Sequence, residues 1–169
     1  MKKSFISIAV LILFFFLYAN NNFAQELSHG SWGFSAVVNS SQADILIPIF
    51  LDNYNSISPS IGVVNASEIN TDISAGIVYH HYLEYSKNFS PILGLRVGGI
   101  FGSPNGGTST SDFIVGGLAG GEYFFSKNFS VGIEVQLNLA ISDNNSARFG
   151  NPGGTNFNTG SVLFGAIYF

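Results

Sequence analysis

Few residues in this chain of 169 have side chains suited to chemistry. His80 and His81 stand close to Glu84, and imidazoles beside a carboxylate are the material of a metal site or an acid–base pair. Adjacent residues on a strand face opposite sides, however, so the two rings cannot easily grip one ion. The plainer reading puts His80 on an inner face and His81 near an interface. A lipid-cleaving Ser–His–carboxylate set would need a serine of matching parity and height on the face of His81, and none is evident. Asp143-Asn144-Asn145 lacks the spacing of a Ca²⁺ loop. The pairs Gly98-Gly99, Gly116-Gly117 and Gly120-Gly121 neither open a helix nor precede Gly-Lys-Ser/Thr, so no phosphate loop is present. No catalytic residue, cofactor site or metal site is therefore predicted. What remains is a set of isolated charges in apolar stretches: Glu84, Arg96, Glu122 and Glu134.

The elements that must hold those charges are strands. From Phe129 to Ser142 the chain alternates without a slip. Phe129, Val131, Ile133, Val135, Leu137, Leu139 and Ile141 are apolar, and small, polar or charged residues lie between them. One face of such a strand is hydrocarbon and the other is wet. The run exceeds the usual soluble strand of about five or six residues. It reaches the roughly nine to eleven that a tilted membrane-spanning strand needs. Elsewhere the pattern recurs. Tyr85-Ser86-Lys87-Asn88-Phe89-Ser90 reappears as Phe125-Ser126-Lys127-Asn128-Phe129-Ser130, each copy reading as a tight hairpin turn in which Asn takes up the awkward backbone angles. Strands are predicted at Asp72–Tyr85, Phe89–Phe101, Asp112–Phe125, Phe129–Ser142 and Phe157–Phe169, with a first strand at Gly30–Asn39. Short turns then alternate with polar loops at Gly102–Ser111 and Asp143–Thr155, the asymmetry of outer-membrane barrels.

An antiparallel barrel with both ends on one side has an even number of strands. Six are reached if Asn39–Ile57 is one long loop, eight if Asp44–Leu51 and Ser58–Asn65 are strands. Eight is the reading adopted, since roughly 18 residues per strand and connection suits small barrels. Pro48 cannot donate to the ladder, so a bulge is expected there.

Composition agrees. Lys2 and Lys3 precede an apolar run, Phe5–Tyr18, and a polar segment up to Gln25, the order of a secretory signal peptide. The division expected is a signal peptide at 1–25, cut after Ala24 or Gln25, and a barrel domain at 26–169. Roughly 144 residues remain, one domain's worth. Their only cations are Lys87, Arg96, Lys127 and Arg148 against ten acidic residues, which argues against a nucleic-acid partner. Cysteine is absent, which excludes disulfides and thiolate metal sites. Charged residues make up 9% of the chain, far below the ~25% of soluble domains.

Within the strands, Glu84, Arg96, Glu122 and Glu134 all take the parity opposite the aliphatic and aromatic series. A basic residue facing lipid costs about 2–4 kcal/mol at the midplane, so these four are expected in the lumen, in a charge network around Arg96. An eight-strand interior is only wide enough for side chains to fill, which argues against a general pore. Trp32, Tyr85, Phe89, Phe125 and Phe129 are expected to form a periplasmic aromatic girdle.

The hairpin Gly-Gly-Glu-Tyr-Phe-Phe-Ser-Lys-Asn-Phe-Ser-Val-Gly-Ile-Glu at 120–134, the N-terminal segment and the closing run with Leu163, Ile167 and Phe169 resemble the small OmpA-like and OmpX-like outer-membrane barrels of Gram-negative bacteria. The resemblance covers about Gly30–Phe169. It implies an all-β, closed antiparallel transmembrane barrel without cofactor, contacting outer-membrane lipid. It also implies a C-terminal strand (Leu163, Ile167, Phe169) that the barrel-assembly machinery reads. The function expected is a monomeric, non-enzymatic outer-membrane protein with a structural or surface-interaction role, the ligand of its outward loops unspecified. Two alternatives stand beside it. A secreted lipocalin-like barrel would need the apolar series inside and the charges outside. An outer-membrane enzyme acting on lipid would depend on His81.

Overall fold

The computed structural model describes residues 30–67, 70–83, 88–102 and 108–169. The segment expected to be a signal peptide thus lies outside the described residues, as do Glu84 and Tyr85. The described residues form nine strands: β1 (Gly33–Val38), β2 (Gln42–Leu46), β3 (Ile49–Phe50), β4 (Asn55–Ser67), β5 (Asn70–Tyr82), β6 (Phe89–Gly102), β7 (Thr110–Ser126), β8 (Phe129–Ile141) and β9 (Thr155–Tyr168). They form one antiparallel sheet in the order β2-β1-β9-β8-β7-β6-β5-β4-β3, and a further β2–β4 pairing closes it. Because β2 and β3 both pair with β4 and follow one another along it, they are two halves of a single stave. The barrel therefore has eight staves and no free edge, so every strand finds a ladder partner on both sides.

The break between β2 and β3 falls at Pro48, but it is not the bulge expected. On the β4 side the register runs from Leu46↔Ser60 to Ile49↔Ile57, and on the β1 side from Ser35↔Leu46 to Trp32↔Ile49. On each strand the paired rungs are three positions apart, so no extra residue is inserted. Pro48 still accepts from Gly33 N at 2.9 Å but has no N–H to return the bond. Opposite Ile47 lies a second proline, Pro59, whose carbonyl accepts from Ile47 N at 3.0 Å. The two prolines thus sit one rung apart and forfeit their donors in one place. Register shifts do occur, between Asn65 and Ser67 in β4 and between Phe124 and Ser126 in β7, close to strand ends.

Alternation decides the two faces. Val135 is 60% exposed and Leu137 57%, whereas Glu134 between Ile133 and Val135 is 5% exposed. The residues that interrupt the polar face of β7 (Ile114, Leu118 and Phe124) all turn inward. At the end carrying the 127–128 turn, the turn end, Leu118 and Phe124 pack with Tyr82, Ile92, Phe164, Ala166 and Tyr168. Phe50 adds ring contacts at 5.5 Å to both Tyr82 and Tyr168. At the opposite loop end, Ile114 joins Val64, Ile100 and Ala140, with Phe149 of the 142–154 loop against them. The turn residue Asn128 ties this wall together: its Nδ2 donates to Tyr168 O at 2.7 Å, and its own carbonyl accepts from Tyr168 N at 2.9 Å.

Inward glycines make room for these rings. A Cβ on Gly132 would lie 2.1 Å from the Phe164 ring, whereas one on Gly160 would meet nothing within 4 Å. Overfilling a packed core costs about 1–3 kcal/mol. Gly132→Leu is therefore expected to destabilise the barrel by about that amount in urea titrations of the refolded protein, and Gly160→Ala to stay within about 0.5 kcal/mol of the parent.

Candidate functional site

Hydrophobic alternation places the charged and polar side chains in the lumen, where they stack in three layers. Lowest is Glu122 of β7, fully buried, whose Oε1 accepts from Tyr168 Oη at 2.6 Å and from Ser130 Oγ. In the middle, Glu134 of β8 lies 3.0 Å from His80 Nε2 of β5 and accepts from Gln136 Nε2 at 3.4 Å. Arg96 of β6 reaches the Gln136 amide oxygen and so meets Glu134 through that amide. Asp44 of β2 accepts from Gln42 Nε2 at 2.6 Å and from Ser74 Oγ at 2.7 Å.

The third layer covers part of the loop end, and its charged members are not among the four charges singled out by alternation. Arg148, from the 142–154 loop, pairs with Asp72 of β5 and donates through Nε to Asp112 Oδ2 of β7 at 3.0 Å. Asp112 also accepts from Ser146 Oγ at 2.7 Å and from Asp143 N at 2.9 Å. Both carboxylates are buried. A buried ion must be paired and hydrogen-bonded to be tolerated, and here one loop supplies the cation, a hydroxyl and a backbone N–H together. Strand parity would have placed Asp72 and Asp112 inside; a loop has no parity, so Arg148 left no comparable signal.

Of the four charges singled out by alternation, Arg96, Glu122 and Glu134 face the lumen, and Glu84 lies outside the described residues. They do not gather on Arg96: the carboxylates are divided among hydroxyls, an imidazole and an amide. Between the middle and upper layers lies a cavity of about 960 Å³, open at the loop end. Its lining includes Val64, Arg96, Ile100, Ile114, Gln136 and Asn138.

The outer wall carries the aromatic residues expected at the turn end. Trp32, Phe89, Phe125 and Phe129 are exposed there. Phe125 stacks on Phe129 at 5.6 Å, and Trp32 lies 5.1 Å from Phe169 and 5.4 Å from Phe34. Leu163, Ile167 and Phe169 of the closing run also point outward. His81 is on this wall, held by Asn55. Asn55 Nδ2 donates to the Asp52 carboxylate at 2.8 and 2.7 Å, which fixes the amide so that its Oδ1 faces His81 Nδ1 at 2.8 Å. His81 Nδ1 is therefore the donor. No serine hydroxyl bonds its ring among the described residues. Burial works to raise the Asp52 carboxyl, but bonds from Asn55 and from the Tyr54 and Asn55 backbone outweigh it and hold the group below the usual carboxylate range.

No family model matches the chain, and no curated protein is similar to it in sequence. Solved structures do match its shape. The N-terminal β-barrel domain of Pseudomonas aeruginosa OprF superposes with a TM-score of 0.60 at 14% identity, covering 83% of this chain and 98% of that one. Neisserial surface protein A gives 0.57 at 15% identity, covering 81% and 92%. The fold is thus that of the small eight-strand outer-membrane barrels.

Removing one partner of a buried hydrogen-bonded group costs about 1–3 kcal/mol, more for charges. Arg148→Ala strands two buried carboxylates, whereas Arg96→Ala removes a donor to a neutral amide. Urea denaturation should show Arg148→Ala losing about 1–3 kcal/mol or more, and Arg96→Ala losing less.

Proposed function

We propose that this protein is an integral outer-membrane β-barrel without enzymatic activity, exported on its N-terminal segment. In this reading its role is structural or surface-interacting. One observation carries the reading. Every long stave presents apolar side chains outward in a continuous band, from Ile61 and Ile77 through Leu95 and Val115 to Leu137 and Leu163. Exposed apolar patches on soluble monomers rarely exceed a few hundred Å², and a band that encircles the molecule calls for lipid around it. A soluble lipocalin-like barrel would need the reverse arrangement. The fold shared with OprF and Neisserial surface protein A supports the location.

The exposed aromatics at the turn end suit a membrane–water interface, with the turn end toward the periplasm and the 142–154 loop outward. The outward-pointing Leu163, Ile167 and Phe169 suit recognition by the barrel-assembly machinery. In the turn-end half the lumen is closed by Tyr82, Phe124, Phe164 and Tyr168, which supports a plugged barrel over a general pore.

Two measurements test the proposal. Protein expressed with its N-terminal segment should fractionate with the outer membrane and migrate faster on a detergent gel unheated than boiled; a soluble, heat-insensitive product would refute it. A basic residue facing lipid costs about 2–4 kcal/mol at midplane depth and little in a wet lumen. Leu137→Arg should therefore lower the folded fraction in lipid vesicles far more than Asn158→Arg.

A further inference from the structure

We propose that the loop-end half of the lumen is a binding site for a small uncharged saccharide. It would sit between an apolar wall from β4, β6 and β7 and an amide wall from β8 and β9. The cavity of about 960 Å³ is within the size range of small-molecule sites, and its two sides differ in chemistry. Val64, Ile100 and Ile114 form a buried apolar surface with Phe149 packed against them, and Asp72, Arg96 and Thr110 line the cavity on the same side. Gln136, Asn138 and Asn158 line the cavity from the neighbouring staves β8 and β9. A sugar ring has the same division, a C–H face and an edge of hydroxyls.

Charge argues for an uncharged ligand. The ionised groups around the cavity already have partners: Arg148 pairs with Asp72 and Asp112, Asp44 is bonded by Gln42 and Ser74, and Glu134 lies by His80. Arg96 donates to Gln136. Arg148 keeps one buried donor without a partner, Nη1, although two carboxylates already balance its charge; the rest of what is unspent on the cavity's lining is amide. Asn138 Nδ2 donates to Asn158 Oδ1 across 3.3 Å, and this leaves Asn138 Oδ1 and Asn158 Nδ2 without partners. One is an acceptor and the other a donor, and a hydroxyl is both. Asn138 Oδ1 now lies against Gly116; the terminal amide torsion is broad, and turning it toward a ligand exchanges the long 3.3 Å bond to Asn158 for one to the ligand. Gly160, on the same wall, leaves open space where a side chain would project. That the mouth faces outside the cell rests on the function proposed above; the site itself rests only on the barrel.

The test is saturation-transfer NMR on the folded barrel in amine-oxide micelles, since alkyl-glycoside detergents would compete. The probes are maltose, lactose and N-acetylglucosamine, with a sulfated disaccharide as the charged control. At least one neutral sugar should receive saturation. Gly160→Trp, which fills the cavity from an unobstructed position, should weaken its binding at least about tenfold, and Asn138→Leu should also weaken it. Heat-modifiable migration checks that both variants fold. Three outcomes overturn the proposal: no transfer to any neutral sugar, as for a vestibule holding only water; equal transfer in Gly160→Trp; or preference for the sulfated sugar. A barrel that fractionates with the membrane yet binds no sugar refutes the site alone, whereas a protein that is soluble and not heat-modifiable refutes the function proposed above.

Discussion

Closure of the sheet is the constraint from which the rest follows. A backbone N–H or C=O without a ladder partner is costly wherever water is excluded, so the strands bond on both sides, and β2 meeting β4 completes the ring. Once the ring is closed, each residue has only two places to go, the outer wall or a narrow interior. The chain keeps this arrangement through its weakest stretch. Pro48 and Pro59 withdraw two donors at neighbouring rungs, yet the register on either side is unchanged. Grouping the two losses at neighbouring rungs leaves the remaining ladder whole.

A narrow interior makes every inward residue a packing decision. The turn-end half is filled with rings, and the glycines opposite them leave the space those rings need, as Gly132 does for Phe164. Carboxylates within the same cylinder cannot be left alone in a low-dielectric space. They are distributed so that each has its own hydrogen-bond donors: Glu122 has Tyr168 and Ser130, Asp44 has Gln42 and Ser74, and Asp112 has Ser146 and Arg148. A single arginine serving all of them would have to span several rungs at once. Local satisfaction at each height is geometrically simpler.

The loop end is organised differently because loop and strand meet there. Phe149 packs on the upper apolar cluster while Arg148, its neighbour, turns to the aspartates. Two adjacent residues of the 142–154 loop thus fasten it by two unlike interactions. The loop is held against the mouth, and the cavity below it keeps its polar and apolar sides apart.

Strand positions, the inside–outside sense of Glu122, Glu134 and Arg96, and the outward aromatics at the turn end were legible in the sequence, because strand period is two and the apolar series keeps to one parity. Evenness allowed six or eight staves, and roughly 18 residues per strand and connection favoured eight; Pro59 in β4 carried no weight in that reading. Partners were not legible. Parity assigns a side chain to the lumen but not to a height or a neighbour, and those are set by stagger between staves distant in the chain, such as β5 with β8 for His80 and Glu134. Arg148 shows the limit most clearly. It lies outside any strand, so no periodicity marks it, and only the folded loop carries its guanidinium to Asp72, seventy-six residues away. Alternation in the sequence decided which face each strand residue takes; only the tertiary structure decided which of them meet, because contacts across a closed lumen depend on the register of the whole ring.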